Sequence, residues 1–206
     1  YFVVSAASCR MSASRSSFTG MLDEIDALIE QGQDGDAVSE LKKAEKYVYD
    51  SWSSIGIYRR YIEMGETAFA ERTLVRALKR NPKNPEISAV YAQFLMRAGR
   101  GAEAVKIAEC LEGTRFGSVY SEAYLRQLAA NNGGNFLQYT DKRFFSIFCD
   151  AYSGSNDPYW LRNAALIRLK DGDYDAAYSV KPADCFEADD AFFWSLVMFD
   201  SRRFGE

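Results

Sequence analysis

Histidine is absent from the 206 residues. That removes the commonest general base, the commonest nitrogen ligand for metals and the side chain that switches charge near neutral pH. Cysteine is sparse: Cys9, Cys110, Cys149 and Cys185 are far apart and form no C-x-x-C pair, which excludes the usual zinc and dithiol motifs. The last three are expected to be small buried hydrophobes. Positive charge is in deficit, with 25 Lys and Arg against 29 Asp and Glu for a net charge of -4. Neutralising phosphates takes clustered Lys and Arg, so nucleic acid is not an expected partner. The longest apolar run, Ala191 to Phe199, is interrupted by Ser195 and falls well short of the roughly 20 residues that span a bilayer. No phosphate-binding loop, metal cluster or nucleophile–base set accompanies these absences, so no cofactor, no metal and no catalytic residue is expected, and the chain reads as a non-enzyme.

What is present is a folded composition, 48% hydrophobic and 15% aromatic, too apolar for a disordered chain. It also has a period. Gly65, Ala70, Leu74 and Ala77 recur upstream as Gly32, Ala37, Leu41 and Ala44, and in part downstream as Gly99 and Ala104, at intervals of 33 and 34 residues. Ala70, Leu74 and Ala77 stand at i, i+4 and i+7, one stripe of a helix. Gly65 permits the positive φ of a helix C-terminus, small Ala70 lets a second helix approach the first closely, and Pro82 ends the pair.

Together these residues resemble the tetratricopeptide repeat, a pair of helices in about 34 residues. In the best copy, Ser51 to Asn84, Ile57, Tyr58 and Tyr61 fill the leucine, small-residue and tyrosine positions of the first helix, while Gly65 takes the turn. Ala70, Leu74, Ala77 and Pro82 follow on the second. Two positions depart from the pattern: Tyr58 is bulky, and Ser54 replaces a tryptophan. A looser copy from Pro85 keeps Tyr91, Ala92, Leu95, Gly99, Ala104 and Ala108. The first copy keeps Leu28, Gly32, Ala37, Leu41 and Ala44, and a late one keeps Trp160, Ala164, Ala165, Leu169, Gly172 and Ala177, with Lys181-Pro182 cutting its second helix short. The resemblance implies an all-α chain, an α-α superhelix of stacked helical pairs. The expected organisation is a signal remnant and Ser-rich tether over 1–17, three repeats over 18–118, a degenerate helical pair over 119–157, and one repeat plus the first helix of another over 158–206. In the degenerate pair, Tyr120 to Ala130 and Phe136 to Tyr152 are the expected helices.

The same resemblance implies a concave groove lined by first helices and used to hold a protein or peptide. Mapping it places Thr19, Leu22, Asp26, Ile29 and Glu30 there from the first copy, and Trp52, Ile55, Arg59, Ile62 and Glu63 from the second. The third copy contributes Glu86, Ala89, Gln93, Met96 and Arg97, and the late copy Tyr159, Arg162 and Asn163. The members that clamp a C-terminal carboxylate use Lys and Asn where this chain has Ile55 and Arg59, so that ligand is not implied. The expected role is a scaffold within a larger assembly. Two alternatives stand beside it: a recruiting or regulatory arm of a larger enzyme, or a ligand-binding solenoid with a pocket of Phe136, Phe144, Phe145 and Phe148. Asp171, Asp173 and Asp175 alternate as in a calcium loop, but Ala176 and Pro182 stand where that loop needs Gly and Glu.

Both termini carry expectations of their own. Tyr1-Phe2-Val3-Val4-Ser5-Ala6-Ala7-Ser8-Cys9 resembles the end of a bacterial lipoprotein signal peptide, which implies lipidation of Cys9 and a lipid-anchored place in the periplasm or cell envelope. Without that anchor the cytoplasm is the alternative. Ser201 to Glu206 parallels Asp171 to Ala176, so a further helix is expected beyond Glu206.

Overall fold

In the computed structural model the described residues are 17–48, 50–133, 142–182 and 188–200, and the regular elements among them are all helical. Helix α1 covers 17–30. It is followed by α2 (Asp34–Ala44), α3 (Ser51–Glu63), α4 (Thr67–Arg80), α5 (Pro85–Arg97) and α6 (Gly101–Ala108). Then come α7 (Gly117–Asn131), α8 (Lys142–Ser155), α9 (Pro158–Lys170), α10 (Tyr174–Ser179) and α11 (Ala188–Asp200). Short 3₁₀ turns, Glu45–Tyr47 and Glu109–Leu111, extend α2 and α6.

The sequence period appears as one turn built four times. Gly32, Gly65, Gly99 and Gly172 have φ between 69° and 75°. At Gly65 the glycine N–H donates to the Ile62 carbonyl (3.0 Å) and the Glu66 N–H to that of Tyr61 (2.8 Å). This pair of bonds satisfies carbonyls that the end of a helix leaves without partners. The same pair recurs at Gly32 (on Ile29 and Leu28), at Gly99 (on Met96 and Leu95) and at Gly172 (on Leu169 and Arg168). A residue with a Cβ in this conformation costs about 1–2 kcal/mol. Two residues beyond each glycine the next helix begins, and three further on stands an alanine, Ala37, Ala70, Ala104 or Ala177, each 0% exposed. The described residues are thus all-α, and their helices pair into hairpins of the expected repeat kind.

The chain divides into two compact units, Tyr1–Tyr91 and Ala92–Glu206. In the first, α3 and α4 form a packed pair over Ile57, Tyr58, Tyr61, Ala70, Leu74 and Ala77. Asp50 caps α3 in a reciprocal box with Ser53, and Asn84 accepts the Ile87 N–H (3.1 Å) as Pro85 opens α5. Ser54 and Tyr58, the two departures from the repeat pattern, are both buried. The Ser54 hydroxyl is satisfied by donating to the Asp50 carbonyl at 2.8 Å.

Glu45 joins the first hairpin to the second. Its largely shielded carboxylate accepts from the Tyr61 hydroxyl (2.9 Å), Arg72 (3.2 Å) and Arg76 (2.8 Å). The Phe69 ring stacks on Tyr61 with centroids 5.4 Å apart and lies beneath the Lys42 and Arg72 cations. Burial, reinforced by the Glu45 carboxylate it faces, pushes the Tyr61 hydroxyl above the ordinary tyrosine range. A raised folded-state value contributes stability that is complete below the unfolded tyrosine value near 10.0 and is lost as pH rises above it.

In the second unit α7 packs on α8, and α8 on α9. Leu125, Phe148, Ala151, Trp160, Ala164 and Ile167 form one core, while Leu161, Ala165, Ala177, Trp194 and Val197 form another. Close approach of α7 and α8 needs Gly154, where a Cβ would lie 2.5 Å from Ser118 Oγ and 2.7 Å from its Cβ. Helix α7 begins three residues earlier than the expected Tyr120, and α8 runs past the expected Tyr152 to Ser155. Residues 136–141 lie outside the described residues. The connection from α8 to α9 has Asn156 at φ 54°, the one non-glycine residue with positive φ among the described residues, and Gly133 in the turn after α7 has φ 62°. Helix α10 stops at Ser179, before Lys181-Pro182, as that pair requires.

Two expectations of burial need correction or qualification. Cys110 is exposed because it lies on the outer side of the 3₁₀ turn whose inner residue, Leu111, is fully buried. Cys149 is half-buried, and Cys185 lies outside the described residues.

Urea unfolding of the wild type and Tyr61→Phe across pH about 8 to 11 reads the Tyr61 contribution directly. The variant is expected to lose about 0.5–1.5 kcal/mol at neutral pH, one buried hydrogen bond. The difference between the two proteins should shrink as pH rises above about 10, where the wild type must unfold against a hydroxyl that ionises more easily in the open chain. A difference independent of pH would contradict the assignment.

Candidate functional site

Two adjoining cavities in the second unit form one cleft. The first, about 390 Å³, is lined by Gln93, Met96, Arg97, Glu122, Arg126, Gly154, Ser155 and Asp157. The second, about 360 Å³, is more apolar and is lined by Met96, Gly99, Gly101, Arg126, Gln127, Ala129, Ala130, Asp157, Tyr159 and Trp160. Met96, Arg126 and Asp157 belong to both, so the two spaces share a wall.

Each wall follows from its helix. Gln93, Met96 and Arg97 occupy the last two turns of α5, which the Gly99 turn terminates. Glu122 and Arg126 are i, i+4 neighbours on α7 and form an ion pair, with Arg126 Nη2 at 2.8 Å and Nε at 2.9 Å from one carboxylate oxygen. Glu122 is buried, and its partner reaches outward until the guanidinium lies 5.8 Å from the Trp160 ring centroid. Asp157 accepts the Tyr159 N–H (3.0 Å) and so caps α9, where a carboxylate also complements the helix dipole. The Ser155 hydroxyl donates to the Ala151 carbonyl (2.9 Å) and accepts from the Asp157 N–H (3.2 Å). Arg97 is exposed and has no ion-pair partner among the described residues.

Residues 61–111, from the end of α3 to the turn after α6, match the family model of the tetratricopeptide repeat. Over that stretch the chain is similar to the tetratricopeptide repeat. It is 26% identical over 120 residues to an uncharacterized protein of Treponema pallidum (strain Nichols). That match covers 57% of this chain but only 19% of the relative's length. A solved structure named MamA MSR-1 C2 aligns with 91% of this chain and 98% of its own, at 14% identity and a TM-score of 0.47.

Of the groove positions that the tetratricopeptide pattern implied, Gln93, Met96 and Arg97 come together on the cleft wall, and Tyr159 joins them at its apolar end. Arg162 and Asn163 do not line the cleft; the Asn163 amide donates to the Tyr159 carbonyl of its own helix (2.8 Å). Trp52, Ile55, Arg59, Ile62 and Glu63 lie on α3 in the other unit. Trp52 remains 45% exposed, edge-on to Phe18 with centroids 5.7 Å apart. Ile55 and Ile62 are half-buried, and Arg59 and Glu63 are exposed.

Several expected groove positions are taken up by packing or pairing, among them Glu86, whose carboxylate accepts from the Ser51 hydroxyl (2.6 Å). Leu22 is buried, with a methyl 3.3 Å from where a Gly56 Cβ would stand. Ala89 is buried as well. Asp26 is bound by both the Nε and Nη2 of Arg60, the neighbour of the residue that the pattern pointed to. Cys9 lies outside the described residues.

The cleft also uses residues that repeat matching did not find: Glu122, Arg126, Gly154, Ser155 and Asp157. All lie in the stretch where the period blurs. The available signal was the opposite-charge i, i+4 pair on α7 and the Asn156-Asp157-Pro158 helix start. The expected phenylalanine pocket divides differently. Phe148 is core and Phe144 and Phe145 pack against that core, while Phe136 lies outside the described residues. Phe144 also borders a separate cavity of about 490 Å³ with Tyr120 and Tyr124. Asp173 of the apparent calcium loop caps α10 by accepting the Ala176 N–H (3.2 Å).

Proposed function

We propose that the chain is a non-enzymatic scaffold that holds a protein partner in the cleft between α5, α7 and the start of α9. The observation that carries this reading is the joining of a polar and an apolar cavity through Met96, Arg126 and Asp157. Specific recognition combines these two kinds of surface: apolar contact supplies affinity and placed polar groups supply selectivity. Their combined size suits an extended peptide segment. The walls are helices locked by packing and caps, so little ordering cost falls on the protein when a partner binds. Because the chain spans only 19% of its Treponema relative, the scaffold is read as one segment of a larger protein's work.

A photo-crosslinking amino acid placed at Gln93 in the full-length protein, in its own cells, tests this. A discrete adduct is expected there and not from the same group at exposed Lys79, and Met96→Glu should abolish it while helicity by circular dichroism is kept. Equal adducts from both positions would overturn the reading.

A lipid anchor at Cys9, with a bacterial envelope location, belongs to the same proposal on the strength of the Tyr1 to Cys9 sequence. Labelled palmitate should enter the full-length protein and be lost in Cys9→Ser. Absence of label in the wild type would remove the anchor from the account.

A further inference from the structure

We infer that one end of the first unit, the end from which the chain runs back to Cys9, is a membrane-facing surface that seats on anionic lipid headgroups. The choice of a bilayer rests on the anchor reading of Cys9, and the surface itself follows from what antiparallel hairpins bring together. In such hairpins first helices start where second helices finish. The start of α1 meets the start of α3, with Phe18 edge-on to Trp52 at 5.7 Å between centroids, and the Ser51 hydroxyl donates to Glu86 at the start of α5 (2.6 Å). Arg80, the last residue of α4, donates to the Val48 carbonyl just after the 3₁₀ turn that extends α2 (3.0 Å). Ser17, the first described residue, stands at this same end, eight residues after Cys9. An extended chain of that length reaches at most about 28 Å.

Charge is divided along the hairpins. Lys46, Lys79, Arg80 and Lys83 are exposed at this end. Its carboxylates are engaged: Glu45 by Arg72 and Arg76, Asp50 by the Ser53 N–H, and Glu86 by the Ser51 hydroxyl. Six cations, Lys46, Arg72, Arg76, Lys79, Arg80 and Lys83, thus stand against three carboxylates, and Arg10 and Arg15 in the stretch back to Cys9 have the same sign. The opposite end, around Gly32 and Gly65, carries Glu30, Asp34, Asp36, Glu63 and Glu66, and residues 27–37 and 61–71 contain no Lys or Arg. An anionic surface therefore attracts one end of the unit and repels the other. Two observations favour a bilayer over an acidic protein or a nucleic acid. The exposed large hydrophobics of the first unit, among the described residues, are Tyr47 at 55% and Trp52 at 45%, both at the basic end, and these two residue types suit the headgroup boundary because each joins an apolar body to a polar edge. A lipid on Cys9 also holds this end, rather than the acidic one, near the membrane. No described helix is long and apolar enough to cross a membrane, so the contact is with its surface, where each Lys or Arg adds attraction.

Vesicle binding by the intact chain carrying Cys9→Ser, which no acyl group can assist, tests the surface separately from the anchor. Vesicles of phosphatidylcholine alone are compared with vesicles in which about one-third of the lipid is phosphatidylglycerol, whose headgroups supply the negative surface potential. Binding is expected to the anionic vesicles only and should weaken as salt is added. A blue shift of tryptophan emission should accompany it and report Trp52, since Trp160 and Trp194 are buried. Replacing Lys46, Lys79 and Lys83 together by Gln, with helicity unchanged, should weaken binding by about fivefold for each residue removed. Glu63→Gln with Glu66→Gln, at the opposite end, should not weaken it. Equal binding to both kinds of vesicle, binding to neither, or binding untouched by the triple variant would overturn the assignment, whatever palmitate labelling of Cys9 shows. Tighter binding of polyglutamate or of RNA than of the anionic vesicles would overturn it in favour of those partners. Binding to anionic vesicles with no palmitate on wild-type Cys9 would overturn the anchor and leave the surface.

Discussion

A helix can hand its chain to an antiparallel neighbour within three residues only if one residue takes a left-handed backbone conformation, and this constraint organises the protein. Gly32, Gly65, Gly99 and Gly172 meet it with the same two backbone hydrogen bonds. From that turn the register follows: the next helix begins two residues on, and a buried alanine lies against the first helix three residues later. An alanine there is small enough for close helix approach, and the larger residues of the stripe, such as Leu41 and Leu74, then fill the space below it. The cleft depends on the same device, because the Gly99 turn ends α5 just beyond Met96 and Arg97 and so fixes where their side chains stand.

Contacts beyond these turns, between hairpins and within the α7–α8 pair, are made by different means, and these are local inventions rather than repeats. In the first unit the Glu45 carboxylate collects Tyr61, Arg72 and Arg76, and Arg60 binds Asp26. Such shielded, multiply bonded carboxylates are costly to strip of partners, which fixes register more than it adds net stability. In the second unit the contact is steric: Gly154 brings α8 against Ser118 of α7. That approach places Gly154 and Ser155 on the cleft wall. Packing and site are therefore linked through one missing side chain.

The fold was legible in the sequence wherever the turn glycine was present. Gly65, Ala70, Leu74 and Ala77 identify a hairpin because each residue type answers a local steric demand, and Pro182 predicts the short α10 for the same reason. Helices α7 and α8 were harder to read since the two close through Gly154 and Ser118, a contact between positions 36 residues apart. The site was legible only in part. Helical position brought out Gln93, Met96 and Arg97, but repeat spacing says nothing about Glu122, Arg126 or Asp157, which come from a stretch with no clear period. Nor could it separate groove from contact at Leu22 and Asp26, whose fates were decided by Gly56 and Arg60 across the hairpin interface.

The claim on which all of this rests is that the four glycines are needed for their backbone conformation and not for space, since none has a neighbour within 4 Å of where a Cβ would stand. Replacing Gly65 or Gly99 in turn by L-alanine and, through semisynthesis, by D-alanine, which favours positive φ, separates the two explanations in a single urea-unfolding comparison. The account predicts that each L-alanine destabilises by about 1–2 kcal/mol and that D-alanine matches or exceeds glycine. Equal losses from both enantiomers would contradict it.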